Sequence, residues 1–159
     1  MKRGATIFLR VIIMLIGAGM LFLLIKFPQT EGRAINLDLI SIYKDPFIIY
    51  IYIGSVPFFT ALYQAFKLLG HIGRNHAFSQ ASVKALRNIK YCALVIVGFI
   101  AGAEAYIFIN RASSDDIAGG VAMGLFISFV SIVMATFAAV LQKLIQNALD
   151  IKSENDLTV

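Results

Sequence analysis

The sequence is poor in charge. Asp, Glu, Lys and Arg make up only 14% of its 159 residues, against about 25% in an ordinary soluble domain. The charge it does have avoids four stretches: Val11 to Ile25, Pro46 to Phe66, Tyr91 to Ala103 and Gly119 to Leu141 hold none. A soluble helical bundle turns a polar face to water every three or four residues along each helix, and these runs exclude that class. Cysteine is nearly missing. Cys92 stands alone, which excludes an internal disulfide and a cysteine-stapled secreted fold. A lone cysteine in an apolar segment reads as packing.

Recognisable catalytic spacings are missing too. There is no phosphate-binding glycine loop, no HExxH, no GxSxG and no EF-hand pattern. His71 and His76 have no Cys, Asp or Glu nearby to complete a metal site. No pair of acids lies within a span to suggest an intramembrane protease. We therefore expect no enzyme, no cofactor and no metal.

What is present is apolar sequence, 59% of the chain. About 20 residues of helix cross roughly 30 Å of hydrocarbon. The runs meet this requirement as spans at about 6–25, 46–66, 91–109 and 118–141. The first includes Arg10, whose side chain can snorkel toward the headgroups, and the third includes Glu104. Lys2, Arg3 and Arg10 before an apolar run imitate a signal peptide. The run is long for one and no small-residue cleavage pattern follows at Phe27 and Pro28, so it reads as a retained helix. The expected fold is all-α: a single integral-membrane four-helix bundle over 1–159, with cytoplasmic helical extensions.

Orientation follows from the cations, because short Lys- and Arg-rich loops stay in the cytoplasm. Lys2, Arg3 and Arg10 mark the N-terminus. Lys67, Arg74, Lys84, Arg87 and Lys90 mark the loop 67–90, which has no acid. The loop from Lys26 to Asp45 balances its charges, and the third loop has Arg111 against Asp115 and Asp116. Both termini, the loop 67–90 and the tail 142–159 are thus expected in the cytoplasm, with the chain multi-pass in the membrane. The net charge of +5 serves orientation and anionic lipid headgroups, so membrane lipids are expected partners and nucleic acid is not.

Several local features are readable. Ile35 to Ile42 suggests a short interfacial helix, and Tyr43, Tyr50 and Tyr52 gather as an aromatic belt at the outer end of the second span. Gly70 and Gly73 read as turn signals. Ser79 caps a helix whose third residue is Ser82, with Val83, Leu86 and Ile89 on one face and Lys84 and Arg87 on the other. That helix runs on into the third span, and the fourth span continues as a helix through Leu141, Leu144, Ile145 and Ala148, ending near Leu149 to Ile151, so that the two cytoplasmic extensions can pack together. Pro57 favours a kink. Gly17, Gly19, Gly98, Gly102, Gly119, Gly120 and Gly124 suggest close helix contacts, two pairs of them in GxxxG spacing.

Glu104 is the sharpest candidate site. A carboxylate within a span is costly unless protonated, paired or wet. Arg111, Ser128, Ser131 and Tyr106 are its candidate companions, and three readings stand: a structural acid, a group binding a cation, a proton or a small ligand, or a lipid-facing acid of no consequence.

Phe78-Ser79, then Leu86-Arg87-Asn88-Ile89, a hydrophobic span and the closing Glu154-Asn155-Asp156-Leu157-Thr158 plus an aliphatic residue together resemble a bacterial family known as domain of unknown function 2975. The resemblance covers essentially the whole chain, and its closing motif is the most specific part. It implies a small four-span inner-membrane protein and a link to a small cytosolic helix-turn-helix regulator, without implying any activity. The residues matching its motif are Phe78, Ser79, Leu86, Arg87, Ile89, Glu154, Asn155, Asp156, Leu157 and Thr158. The closing tail could dock on the basic middle helix, offer a strand-like ligand to a cytosolic partner, or stay disordered. Two functions remain in view. One is a noncatalytic sensing or signalling module that contacts such a regulator; the other is a small transporter, channel or immunity-like protein acting on a membrane-active compound, with Glu104 at its centre.

Overall fold

In the computed structural model of the protein the described residues are 3–30, 42–73, 77–111 and 118–156. They form four helices in chain order: α1 (Arg3–Thr30), α2 (Pro46–Gly73), α3 (Gln80–Arg111) and α4 (Ala118–Asp156). No strand occurs among the described residues. The shortest helices have 28 residues, about 42 Å at 1.5 Å per residue. All four are long and apolar enough to cross a membrane.

Packing follows chain order, with α1 on α2, α2 on α3 and α3 on α4. The chemistry of the surface is that of a protein solvated by hydrocarbon. Phe8, Met14 and Leu15 of α1 and Phe126, Phe129 and Phe137 of α4 are all exposed, while most of the buried residues of α4 are small: Ser131, Ala135 and Ala138. Lipid tails solvate bulky apolar side chains as well as a protein interior does, so small residues that let backbones approach go to the contacts. Among the described residues a cluster of buried apolar side chains forms where the start of α3 meets α4. There Leu86 and Ile89 of α3 meet Ala138 of α4, flanked by Ala65 and Leu68 of α2 and by Leu141 and Ile145 of α4. This is the packing of the α3 start against the α4 continuation that the apolar spacing predicts.

Two helix starts are capped by side chains. Asp45 Oδ1 accepts from Phe47 N at 2.8 Å, and Pro46, the first residue of α2, has no N–H to satisfy. Ser79 Oγ accepts from Ser82 N at 3.3 Å, with its carbonyl 3.0 Å from the same nitrogen. Ser82, fully buried, lies 3.1 Å from the Ser79 hydroxyl. The cap expected at Ser79 is therefore present.

Three expected helix ends shift. α1 does not give way to loop at Lys26 but continues through Pro28 to Thr30. α2 continues through Gly70 to Gly73. Gly70, expected as a turn signal, lies inside the helix, while Gly73, expected as another, is its last residue; both leave room for side chains of α1, a Cβ at Gly70 lying 3.1 Å from Arg10 Nη2 and one at Gly73 3.2 Å from Thr6 Cγ2. α4 runs past Leu149 to Ile151, where an end was expected, and stops at Asp156. Its exposed last turns hold a Gln146–Asp150 side-chain hydrogen bond of 2.8 Å, an i,i+4 pair that favours helix. The expected interfacial helix falls mostly on residues 31–41, outside the described ones.

The glycine contacts are selective. Gly102 faces the Tyr50 hydroxyl, Gly124 faces the Glu104 carboxyl, Gly54 faces Phe99 and Gly17 faces Leu62. Gly19, Gly98, Gly119 and Gly120 face open space, so neither GxxxG pair acts as a two-glycine contact.

The tyrosines do more than form a belt. Pro28 lacks an N–H and so frees the carbonyl four residues before it, that of Leu24. The Tyr52 hydroxyl donates to Leu24 O at 2.8 Å. Beside it, Tyr43 donates to Ile25 O at 3.2 Å, and on the far side of α2 Tyr50 donates to Phe99 O at 2.8 Å. Phenol groups thus tie α2 to both neighbours. Pro57, expected to bend the second span, lies inside an unbroken α2. The hydroxyls on either side bond back to their own helix, Ser55 to Tyr52 O at 2.7 Å and Thr60 to Val56 O at 2.9 Å.

Tyr52→Phe should leave Leu24 O without either donor and cost about 1–2 kcal/mol of unfolding free energy in micelles. In a Pro28→Ala background the amide restored at position 28 takes that carbonyl, and the same substitution should cost less than half as much. Equal costs in both backgrounds would show that Tyr52 does not compensate for the proline.

Candidate functional site

Glu104 lies on α3 near the end that leads into Arg111. Its side chain is half-buried and turned toward α4, where Gly124 leaves the room that the carboxyl occupies. Ile100, one turn earlier on α3, packs on the same glycine, its Cγ2 3.2 Å from where a Cβ would stand. Glu104 Oε1 is buried and has no hydrogen-bond partner. A polar oxygen buried without a partner is costly inside a low-dielectric seam.

The expected companions are distributed unevenly. Ser131 is buried and Ser128 half-buried on α4, and among the described residues no hydrogen bond joins either to Glu104. Arg111 is the last residue of α3, and its side chain lies outside the described ones. Tyr106 stacks on Phe47 of α2 with ring centroids 5.8 Å apart, which ties the end of α3 to the start of α2. Among the described residues the polar side chains named from the sequence thus form no connected network around Glu104.

The motif residues divide into two groups. Ser79, Leu86 and Ile89 are structural, the first a cap and the others part of the end core. Phe78, 68% exposed, and Arg87, Glu154 and Asn155, all exposed, lie on the surface. Asp156 closes α4; Leu157 and Thr158 fall outside the described residues. Because α4 is helical through Asp156, a strand-like ligand is no longer available from Glu154 to Asp156.

A second polar group, at the opposite end of the helices from Glu104, went unassigned in the sequence. Thr6 Oγ1 and Arg10 Nε on α1 are buried without hydrogen-bond partners, as are His71 Nε2 on α2 and Gln142 Oε1 on α4. The available signal was the i,i+4 spacing of Thr6 and Arg10 inside an otherwise apolar run, opposite two glycines.

Residues 30–159 match the family described as "Protein of unknown function (DUF2975)". A relative in Bacillus subtilis (strain 168), named "Uncharacterized membrane protein YoaS", is 50% identical over 161 residues and covers 100% of both chains. No solved structure matches. The chain belongs to this family, and it is a membrane protein.

The Glu104–Gly124 contact makes a direct prediction. Gly124→Ala puts a methyl where the carboxyl lies and should destabilise the protein by about 1–3 kcal/mol, read as a lower melting temperature in detergent. Glu104→Ala vacates that space, so the double variant should regain most of the loss. A Gly124→Ala protein as stable as the parent would contradict this placement of the Glu104 side chain.

Proposed function

We propose, with membership of this family of membrane proteins as the premise, that the chain is a noncatalytic sensing or signalling module that holds a small cytosolic helix-turn-helix regulator. The observation that carries the reading is the α3–α4 pair beyond the expected spans. From Leu141 to Asp156, α4 adds about 22 Å of helix, packed through Ala138, Leu141 and Ile145 on Leu86 and Ile89. On this scaffold Phe78 and Ile151 are 68% and 67% exposed, and Lys84, Arg87 and Glu154 are exposed with them. Apolar anchors ringed by charges of both signs are what a protein partner recognises. The cations of the N-terminus and of the loop 67–90 support a cytoplasmic position for this surface. The noncatalytic part of the reading rests on the sequence, which has no recognised catalytic spacing.

A second reading, a small transporter, channel or immunity-like protein acting on a membrane-active compound, is favoured by one observation. Glu104 Oε1 is buried without a partner, and an intramembrane acid of this kind suits proton or cation handling.

The two readings separate in an affinity capture from the native cells. The full chain should retain a small DNA-binding protein, while a chain ending at Ser153 and an Ile151→Ala variant should each lose roughly tenfold of it, the worth of one apolar anchor. Glu104→Gln should retain it fully. Capture that is indifferent to the α4 end, with resistance or ion flux lost in Glu104→Gln, would replace the first reading with the second.

A further inference from the structure

We propose that the seam between α1 and α2 binds the phosphate of an anionic phospholipid, with Arg10 supplying the charge and Thr6 a hydrogen bond. Arg10 is half-buried. Its guanidinium lies 5.1 Å from the centroid of the Phe66 ring, and its Nε is buried with no hydrogen-bond partner. One turn toward the helix start, Thr6 is 5% exposed and its hydroxyl is likewise buried without a partner. Gly70 and Gly73, three residues apart on α2, leave the room both side chains use.

A guanidinium with an unpaired donor in a low-dielectric seam is costly unless an anion reaches it. The two helices that form the seam do not provide one. α1 has no Asp or Glu, and none occurs from Pro46 to Ala103, which spans α2 and the α3 turns that follow it. The aromatic ring satisfies part of the charge but accepts none of the in-plane N–H bonds. A phosphate does, because the planar fork matches two of its oxygens.

The depth suits a lipid. Arg10 and Lys26 are 16 residues apart in α1, about 24 Å along the axis, so with Lys26 at one face of a roughly 30 Å hydrocarbon layer Arg10 reaches the other. Ile7 and Met14, both exposed on the flank of the α1 face that carries Thr6 and Arg10, offer acyl chains a surface beside the seam, which favours a lipid phosphate over a free one. Lys67, exposed on α2 three residues before Gly70, adds a second cation near the same level.

The test is native mass spectrometry of the full chain in detergent, with phosphatidylglycerol and phosphatidylcholine in equal amounts. The parent should retain phosphatidylglycerol roughly tenfold more than phosphatidylcholine, the worth of one charge-assisted pair. Arg10→Gln should lose that preference, and millimolar inorganic phosphate should leave it unchanged. Equal retention of the two lipids by the parent, or an undiminished preference in Arg10→Gln, overturns the proposal; displacement by inorganic phosphate overturns the lipid in favour of a free anion. Should Arg10→Gln fail to fold, Gly70→Ala crowds Nη2 from the other helix and must lower the preference. An unchanged preference there overturns the proposal as well.

Discussion

Inside hydrocarbon no water competes for a backbone N–H or C=O, so each of these groups must find its partner within the protein. Helices answer that demand for most of the chain. Their weak points are the prolines. Pro28, buried in α1, leaves the Leu24 carbonyl short of a donor, and the hydroxyl of Tyr52, one helix away, supplies it at 2.8 Å. The repair of a local defect thereby becomes a tertiary contact: α1 is tied to α2 by the group its own proline set free. Tyr43 reinforces the same corner through Ile25 O, and Tyr50 repeats the device toward α3 at Phe99 O.

The seams obey a related rule. Since lipid solvates Leu and Phe well, burying them contributes little to helix association, and close backbone approach and polar contacts matter more. In this chain four glycines mark places where a polar side chain enters a seam: Gly102 receives Tyr50, Gly124 receives Glu104, Gly70 receives Arg10 and Gly73 receives Thr6. Two of these entries, at Glu104 and Arg10, bring ionisable groups into contacts that leave buried atoms unpartnered. They lie at opposite ends of the helices, one a carboxyl and the other a guanidinium. At the end where α3 starts, apolar packing of the ordinary kind joins Leu86 and Ile89 to Leu141 and Ile145.

Much of this was legible beforehand. Four charge-free runs predict four helices, because nothing else long and uncharged is stable in lipid. The Ser79 cap and the apolar stripe of Leu86 and Ile89 follow from spacing alone. The glycines were only half legible: Gly98 and Gly102 share the small-residue spacing, yet only Gly102 has a neighbour. Which glycine is used depends on where a long side chain on the next helix points, and spacing does not record that. Gly70 reads as a turn signal yet lies inside α2 for the same reason, since room for Arg10 is a property of the partner helix, whereas Gly73 does end α2. The tyrosine contacts had a signal that the belt reading passed over. A proline within an apolar helix announces a free carbonyl four residues earlier, and a tyrosine on a neighbouring helix can answer it. At Glu104 the sequence located the acid but not its surroundings, because Ser128 and Ser131 share its seam without bonding to it.

The central claim is that all four helices cross the bilayer, which puts the segments that join them on alternating sides. In a Cys92→Ser background, single cysteines at Ala34, Ala77, Ser113 and Ser153 can be labelled in intact cells with a membrane-impermeant thiol reagent. The account predicts labelling at Ala34 and Ser113, and at Ala77 and Ser153 only after the cells are opened. Labelling of Ser113 and Ser153 from the same side would mean that α4 does not cross, and the four-span account would fail.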